Sequence, residues 1–316
     1  MVYPENCTAV TEILVIGFKP YYGFRIPMFV AFLIIYLLIF SENLMIIYII
    51  WSSNRLKSPM FFSIKSMCVL ELVSITNMLP MMLHYIVSER PTITVTGCSI
   101  QSVMYGIAGY VGSFHYALMS YDRYLAVCHP LRYSSFVNDV IYLRVVIAFW
   151  IISIAFSGVI AGLLSQLQCC GPNTIDHLFC DFYPFLDLVT SDTTPIRFYT
   201  VVISALMILI TILSVFITYT FIIHSILKIP SSSGRKKTFS TCSSHLIVFS
   251  MQYSASFSVY VLPAEIVTHQ VTNIYTIVQF CWTPLMNPLI YTFNNKEFRA
   301  ECMRKIKKIN RSTWFK

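Results

Sequence analysis

Along the 316-residue chain, apolar side chains come in long blocks and Asp, Glu, Lys and Arg gather in short clusters between them. A helix that crosses a hydrocarbon layer about 30 Å thick needs roughly 20 mainly apolar residues. Seven blocks reach that length: 26–50, 59–86, 98–121, 145–165, 198–227, 238–262 and 271–293. Glu42 interrupts the first, Lys65 and Glu71 lie in the second, and the third holds only His115 as a titrating group other than Cys and Tyr. The strand-like run at 93–96 after Pro91 is not read as a crossing, because open strands in lipid leave backbone groups unpaired. The pattern predicts an all-α, seven-helix transmembrane bundle with little chain left for a separate soluble domain.

Composition strengthens this reading. Hydrophobic residues make up 56% of the chain and charged residues 11%, where a soluble domain carries roughly 25% charged residues. The net charge of +8 looks at first like a polyanion-binding surface, but its distribution argues otherwise. Of the 22 Lys and Arg residues, only Lys19, Arg25, Arg90 and Arg197 fall on the side that the alternation of loops assigns to the amino terminus. That asymmetry is the positive-inside signature, and it predicts an extracellular amino terminus and a cytoplasmic carboxyl terminus at the plasma membrane. No nucleic-acid partner is expected.

The first residues show no basic start, apolar run and small-residue cleavage site, so the first helix is expected to serve as its own insertion signal. Asn6-Cys7-Thr8 is a glycosylation acceptor on the expected outer side, while Asn310-Arg311-Ser312 falls inside. Five cysteines are expected outside: Cys7, Cys98, Cys169, Cys170 and Cys180. Their odd number leaves at least one without an intramolecular partner in an oxidising compartment. No internal repeat or inverted pair of broken helices supports a transporter.

Two segments carry a recognisable mechanism. At the end of the third block stands MSYDRYLAVCHPLRY, 119–133, whose adjacent Asp122 and Arg123 can pair with each other or release Arg123 to another partner. Such a charge pair suits a two-state switch, although alone it reads equally as an interfacial salt bridge. The seventh block ends in PLMNPLIYTFNNKEFR, 284–299. There Pro288 removes a backbone donor, Asn287 can satisfy freed groups, and Tyr291 lies one turn further on. After Phe293, Phe298, Cys302, Ile306 and Ile309 recur at helical spacing among cations, as in a surface helix lying on anionic lipid.

These segments resemble the Asp-Arg-Tyr and Asn-Pro-x-x-Tyr motifs of rhodopsin-like G-protein-coupled receptors. The wording of the first is similar to its form in olfactory (odorant) receptors. KTFSTCSSHL at 237–246, LKSPMFF at 56–62, the CGPN at 170–173 with His177 and Cys180-Asp181, and Leu14, Gly17 and Phe18 resemble further signatures of that family. The resemblance implies three parts: an extracellular amino terminus, 1–25; a seven-transmembrane receptor domain, 26–293; and a cytoplasmic tail with an amphipathic helix, 294–316. It implies a disulfide between Cys98 and Cys180. A second loop bridge usual in the family lacks its partner here, because Thr190 stands where a cysteine would.

The resemblance also implies a switch and G-protein contact built from Asp122, Arg123, Tyr124, Tyr219, Arg235, Lys236, Lys237, Asn287, Pro288 and Tyr291. A small odorant is expected among Tyr105, Ala108 and Gly109 on the third helix, Ile203, Ser204 and Met207 on the fifth, Tyr253, Ser256, Phe257 and Tyr260 on the sixth, and Ile277 on the seventh. Activation of the stimulatory olfactory G protein would raise cyclic AMP. No enzymatic chemistry and no organic cofactor are expected.

Buried acids depart from the family pattern. Glu71 replaces the usual Asp of helix two, Gly112 stands where many members carry Glu, and Glu42-Asn43 replaces Gly-Asn. An acid inside the membrane is a functional-site hypothesis, and a sodium ion at Glu71, Asn43 and Asn287 is the ion it suggests. Helix seven has no Lys for a retinal Schiff base, Cys281 standing at that position. Tyr105 replaces the Asp with which amine receptors pair a ligand ammonium. The alternatives are a non-sensory receptor of the same class for a small lipid or peptide-like ligand, and a channel or transporter using Glu42, Glu71 and Asn287.

Overall fold

A computed structural model describes residues 10–133, 138–167, 169, 173–260, 273, 276–293 and 295–314 of the protein. Within them the chain is mostly helical. The long helices are α1 (Arg25–Trp51), α2 (Pro59–Val87), α3 (Val95–Cys128), α4 (Asp139–Leu164), α5 (Thr194–Leu227) and α6 (Ser232–Tyr260). A π-helical turn, Val278–Trp282, leads into α7 (Thr283–Phe293), and α8 (Lys296–Trp314) follows. Four of them, α1, α2, α4 and α5, are long and apolar enough to cross a membrane.

Ile, Val and Thr make up half of α5, and Ile is the commonest residue of α1; these residues are indifferent helix formers in water. In a bilayer the choice is different, because a crossing segment must satisfy its own backbone hydrogen bonds, and the helix does so whatever its side chains. The outward faces agree: Ile34, Leu37 and Leu38 on α1, Ile151 and Ile154 on α4, and Phe216 and Ile217 on α5 are all exposed. Apolar surface on this scale is stable only against lipid. Pro59 and Pro195 sit in the first turns of α2 and α5, where a missing N–H costs nothing. Thr94 and Asn138 cap α3 and α4 by accepting from Gly97 N and Ile141 N.

The centre of the bundle is α3, which packs on α2, α4 and α5, while α1 lies against α2 and α7. At one end a small sheet, ordered β2-β1-β3, joins three distant segments: β1 (Glu12–Val15), β2 (Thr92–Thr94) and β3 (Thr174–Ile175). The central β1 runs antiparallel to β2 and parallel to β3. Ile13, Val15, Ile93 and Ile175 pack beneath it on Leu178, Phe179 and the Cys98–Cys180 disulfide. This sheet end carries Val10 to Val15, the first of the described residues. The opposite, tail end carries α8, whose buried Phe298 packs on Ile46, Ile50 and Phe61, and Lys305 bonds to Ser52 and lies over the Tyr48 ring.

The all-α expectation needs one correction, the sheet. Its strands, too short to read as elements alone, form because β1 supplies a partner to two loops that cannot pair with each other. The helices also begin earlier than the apolar blocks: α3 at Val95 rather than 98, α4 at Asp139 rather than 145, α5 at Thr194 rather than 198, and α6 at Ser232 rather than 238. α3 continues past 121 to Cys128. Helical hydrogen bonding persists beyond the hydrocarbon because polar first turns and caps sustain it. Hydropathy marks only the lipid-facing part.

Candidate functional site

A cavity of about 680 Å³ opens inside the bundle below the sheet. Residues of α2 through α7 reach it, and its wall is mostly apolar and aromatic: Met67, Leu70, Val103, Ile160, Met207, Ile208, Phe280. Cavities of this size and character hold small molecules. α3 contributes Gly106, Gly109 and Gly112, and at Gly109 an added Cβ would meet nothing within 4 Å. These glycines widen the space where a larger side chain would fill it.

Polar groups punctuate that wall in three places. Near the roof, Gln279 Nε2 donates to the Tyr105 hydroxyl at 3.1 Å, and Tyr105 packs against Phe179 and Phe280. The π-helical turn brings Gln279 and Phe280 to the same cavity, and Thr283 Oγ1 bonds the Val278 carbonyl at 3.2 Å across the widened turn. Insertions of this kind recur at functional sites. Lower, the Tyr253 hydroxyl donates to Ser113 Oγ at 3.3 Å. On the floor, Asn287 Nδ2 donates to Glu71 Oε1 at 2.7 Å.

The roof is the segment between α4 and α5. The disulfide ties Cys180 to Cys98 at the start of α3. Ser102 Oγ donates to the Cys180 carbonyl at 2.9 Å, and Cys180 N donates to Gln101 Oε1 at 3.0 Å. Gln101 and Asn77 exchange bonds between α3 and α2. Asp181 caps the helical turn Phe182–Leu186 by accepting from Phe182 N at 2.7 Å. Burial pushes the Asp181 carboxyl above its ordinary range, and neighbouring His177 pulls it back. Cys169, whose role the sequence left open, is a buried free thiol whose backbone pairs with Val189.

From the cavity floor an aromatic column runs toward the tail end. Tyr253 meets Tyr116, Tyr116 meets His245, and the His245 ring stacks on Tyr219 with centroids 5.7 Å apart. The Tyr219 hydroxyl donates to the Cys242 carbonyl at 2.8 Å, so α5 is tied to α6 there. Beside it Arg123 contacts Asp122 at 3.2 Å. The buried Asp122 also accepts from the Tyr133 and Tyr142 hydroxyls at 2.7 and 2.9 Å. Asp122 is therefore committed to neighbours that hold α3 to α4, while Arg123 has one ion-pair contact among the described residues. The Tyr124 hydroxyl bonds His129 at 3.0 Å.

A sequence profile described as "Olfactory receptor" matches residues 32–309. Olfactory receptor 11L1 of Homo sapiens is 35% identical over 96% of this chain and 94% of its own length. Olfactory receptor 6X1 of Homo sapiens is 33% identical over 94% of this chain and 95% of its own length. Olfactory receptor 6E1 of Mus musculus is 34% identical over 93% and 94%. The chain belongs to the olfactory receptor family. It is thus a membrane-embedded signalling receptor of the G-protein-coupled class and not an enzyme.

Of the odorant-contact residues expected from the sequence, this olfactory receptor brings Tyr105, Ala108, Gly109, Ser204, Met207 and Tyr253 to the cavity. Ile203, on the same α5 turn as Ser204, and Ile277, 37% exposed, do not line it. The side chains of Ser256, Phe257, Tyr260, Lys237, Pro288 and Tyr291 lie outside the described residues, as does Asn6. Arg235 bonds the Ile229 carbonyl at 2.9 Å and Lys236 is exposed at the tail end.

Asn43 is wholly buried, but its Nδ2 donates to Ile39 O within its own helix, and its Oδ1 has no partner among the described residues. Glu42 likewise has a buried Oε1 without one. His115 is a packing residue: Ser66 donates to or accepts from its Nε2, and its Nδ1 bonds the Val111 carbonyl. Sequence reasoning missed Ser113, Ser157, Thr200, Gln279 and the roof residues Asp181 to Tyr183, all of which line the cavity or bond to its wall. The signal for Ser113 was its position one turn from Gly109; the roof had none, because a disulfide-anchored loop leaves no periodicity.

Proposed function

We propose that this olfactory receptor binds a small, uncharged odorant in the cavity and passes its binding to a stimulatory G protein that raises cyclic AMP. The observation that carries the reading is the cavity itself: roofed, about 680 Å³, mostly apolar, and directly above the column that ends beside Arg123. The described cavity wall contains no Lys, Arg or His, and its acids are Glu71 and Asp181. Such a lining disfavours an anionic ligand. We further read the bundle as seven crossings with the sheet end extracellular, including α3, α6 and α7.

In this reading the described arrangement is the resting one. A ligand that packs against Tyr253 favours one placement of α6 over another, and only such differential contact shifts an equilibrium. Displacement of α6 carries Cys242 and His245 away from Tyr219, opening the tail end. Arg123, exchanging Asp122 for a new partner, would then face the G protein with Tyr219 and the basic Arg235-Lys236-Lys237 run. The oxygens of Glu71 and Asn43 are of the hard type that alkali and alkaline-earth cations take, and Asn43 Oδ1 has no described donor. We extend the reading to a sodium ion held there that favours the resting bundle.

The test is cyclic-AMP output in cells carrying the full chain and the olfactory G protein, screened against odorant mixtures and repeated with Arg123→Ala. A ligand-dependent rise that disappears in the variant at unchanged surface level is expected. A well-expressed surface receptor that answers no odorant, or an Arg123→Ala variant that still responds, would overturn the reading. Raising external sodium should lower potency in the wild type and have no effect in Glu71→Gln.

A further inference from the structure

Hydroxyls within membrane helices normally bond to a backbone carbonyl in the preceding turn. α5 follows this rule at Thr211, Ser214, Thr218 and Thr220, whose hydroxyls donate to Met207, Ile210, Ser214 and Phe216 carbonyls respectively. Two buried hydroxyls on the cavity wall break it. Ser157 on α4 is 0% exposed, Thr200 on α5 is 9% exposed, and neither oxygen has a hydrogen-bond partner among the described residues. Leaving such a group unpaired costs stability, and a partner arriving with a ligand recovers that cost as binding.

The surroundings locate a single patch. The Tyr199 hydroxyl, beside Thr200, donates to the carbonyl of Phe156, beside Ser157, at 3.2 Å, so the two helices meet at this level. On α3, Gly106 faces Ser157: a Cβ there would lie 3.4 Å from the serine Oγ. With no side chain at Gly106, α3 leaves the space beside the serine unfilled. Nearby Tyr110 and Ser204 satisfy each other. They do not compete for a ligand as the unpaired hydroxyls do.

We propose that Ser157 and Thr200 form a hydrogen-bonding subsite for the oxygen of an uncharged carbonyl ligand: a ketone, aldehyde or ester. This rests on the reading of the cavity as the odorant site. Each hydroxyl carries one hydrogen to donate, and a carbonyl oxygen has two lone pairs and no hydrogen. Two donors converging on it satisfy all three groups, whereas an alkane satisfies none. A carboxylate finds no cation in the described wall. A primary amine would instead be drawn to Asp181, which already accepts from Phe182 N and faces His177.

The experiment measures binding directly, on full-length receptor in lipid nanodiscs, by thermal stabilisation with medium-chain methyl ketones, alkanes of equal length and the matching primary amines. The variants are Ser157→Ala, Thr200→Val, the double substitution and Thr200→Ser. Ketones are expected to bind more tightly than alkanes. Each single loss should raise the ketone Kd about tenfold, the double should erase the ketone preference, and Thr200→Ser should retain it. Alkane affinity should stay constant throughout, which excludes general unfolding. Equal binding of ketone and alkane to the wild type, a ketone preference surviving the double substitution, or amine binding that falls together with ketone binding in the double substitution would overturn the subsite. Cyclic AMP is read in parallel: hydroxyl-dependent ketone binding without a cyclic-AMP rise leaves the subsite standing and removes the signalling reading, whereas odorant signalling indifferent to both hydroxyls does the reverse.

Discussion

Replacing Gly17 by Ala should loosen the roof of the cavity without touching the cavity itself. A Cβ at Gly17 would stand 2.3 Å from both the carbonyl carbon and the oxygen of His177, and 2.8 Å from Leu178 N. All three are backbone atoms and cannot swing aside as a side chain would. Ordinary contact lies at about 3.5 Å, so the amino-terminal segment and the roof must part by roughly 1 Å. Two bonds that join them are directly exposed to that movement: Leu14 N to Asn173 O at 2.7 Å and Ile16 N to Ile175 O at 2.9 Å. Overpacking costs about 1 to 3 kcal/mol and each weakened hydrogen bond about 0.5 to 1.5. The total, about 2 to 6 kcal/mol, is a large share of a typical folding stability of about 5 to 15 kcal/mol.

The assay is thermal melting of the nanodisc receptor together with antibody staining of intact cells. Gly158→Ala serves as the control, since nothing lies within 4 Å of its added Cβ. The expected result is a melting temperature lower by several degrees and reduced surface display for Gly17→Ala, with Gly158→Ala equal to or above wild type because Ala is the better helix former. A Gly17→Ala receptor that melts and traffics like the wild type would refute the close packing of the amino-terminal segment against the roof.

Other expectations follow from the same geometry. Tyr253→Phe removes the donor to Ser113 while keeping the ring on Tyr116 and Phe249, so odorant potency in the cyclic-AMP assay should fall by about three- to tenfold with surface level unchanged. Replacing Cys98 and Cys180 together by Ser should lower stability by about 2 to 4 kcal/mol and bring the receptor's melting temperature to that of wild type treated with reductant. Asp181 gives a pH dependence with a definite sign. Its carboxyl is raised above 3.8 in the folded receptor, so the folded state binds the proton more readily than the unfolded one. Its burial therefore costs stability at neutral pH, and that cost is relieved as pH falls through the raised value. Melting temperature measured across mildly acidic pH should show this contribution in the wild type and lose it in Asp181→Asn.

The sequence alone determined that this chain lives in a bilayer and which family it joins. Long uncharged blocks and one-sided Lys and Arg admit few other solvents, and motifs such as 119–133 and 284–299 are contiguous, so they survive as strings of letters. Family resemblance together with the helical spacing of 3.6 residues also pointed to Tyr105, Ala108, Gly109, Ser204, Met207 and Tyr253, which line the cavity. Ile203 and Ile277, expected with them, are not among the residues that line it.

Only the tertiary structure decided the rest. Strands of two to four residues have no stability alone, and β1 exists because β2 and β3 are brought to either side of it. Gly17 is a glycine because the His177 backbone, distant in sequence, occupies the space of its side chain. Ser113, fourth from Gly109, becomes a polar contact only when α6 presents Tyr253 to it, and the Glu71 carboxylate meets Asn287 only across the bundle. The open hydroxyls of Ser157 and Thr200 are the clearest case. In the sequence they are two among many Ser and Thr residues, and what distinguishes them is a place on the cavity wall without a partner among the described residues, which appears only once the neighbours have been placed.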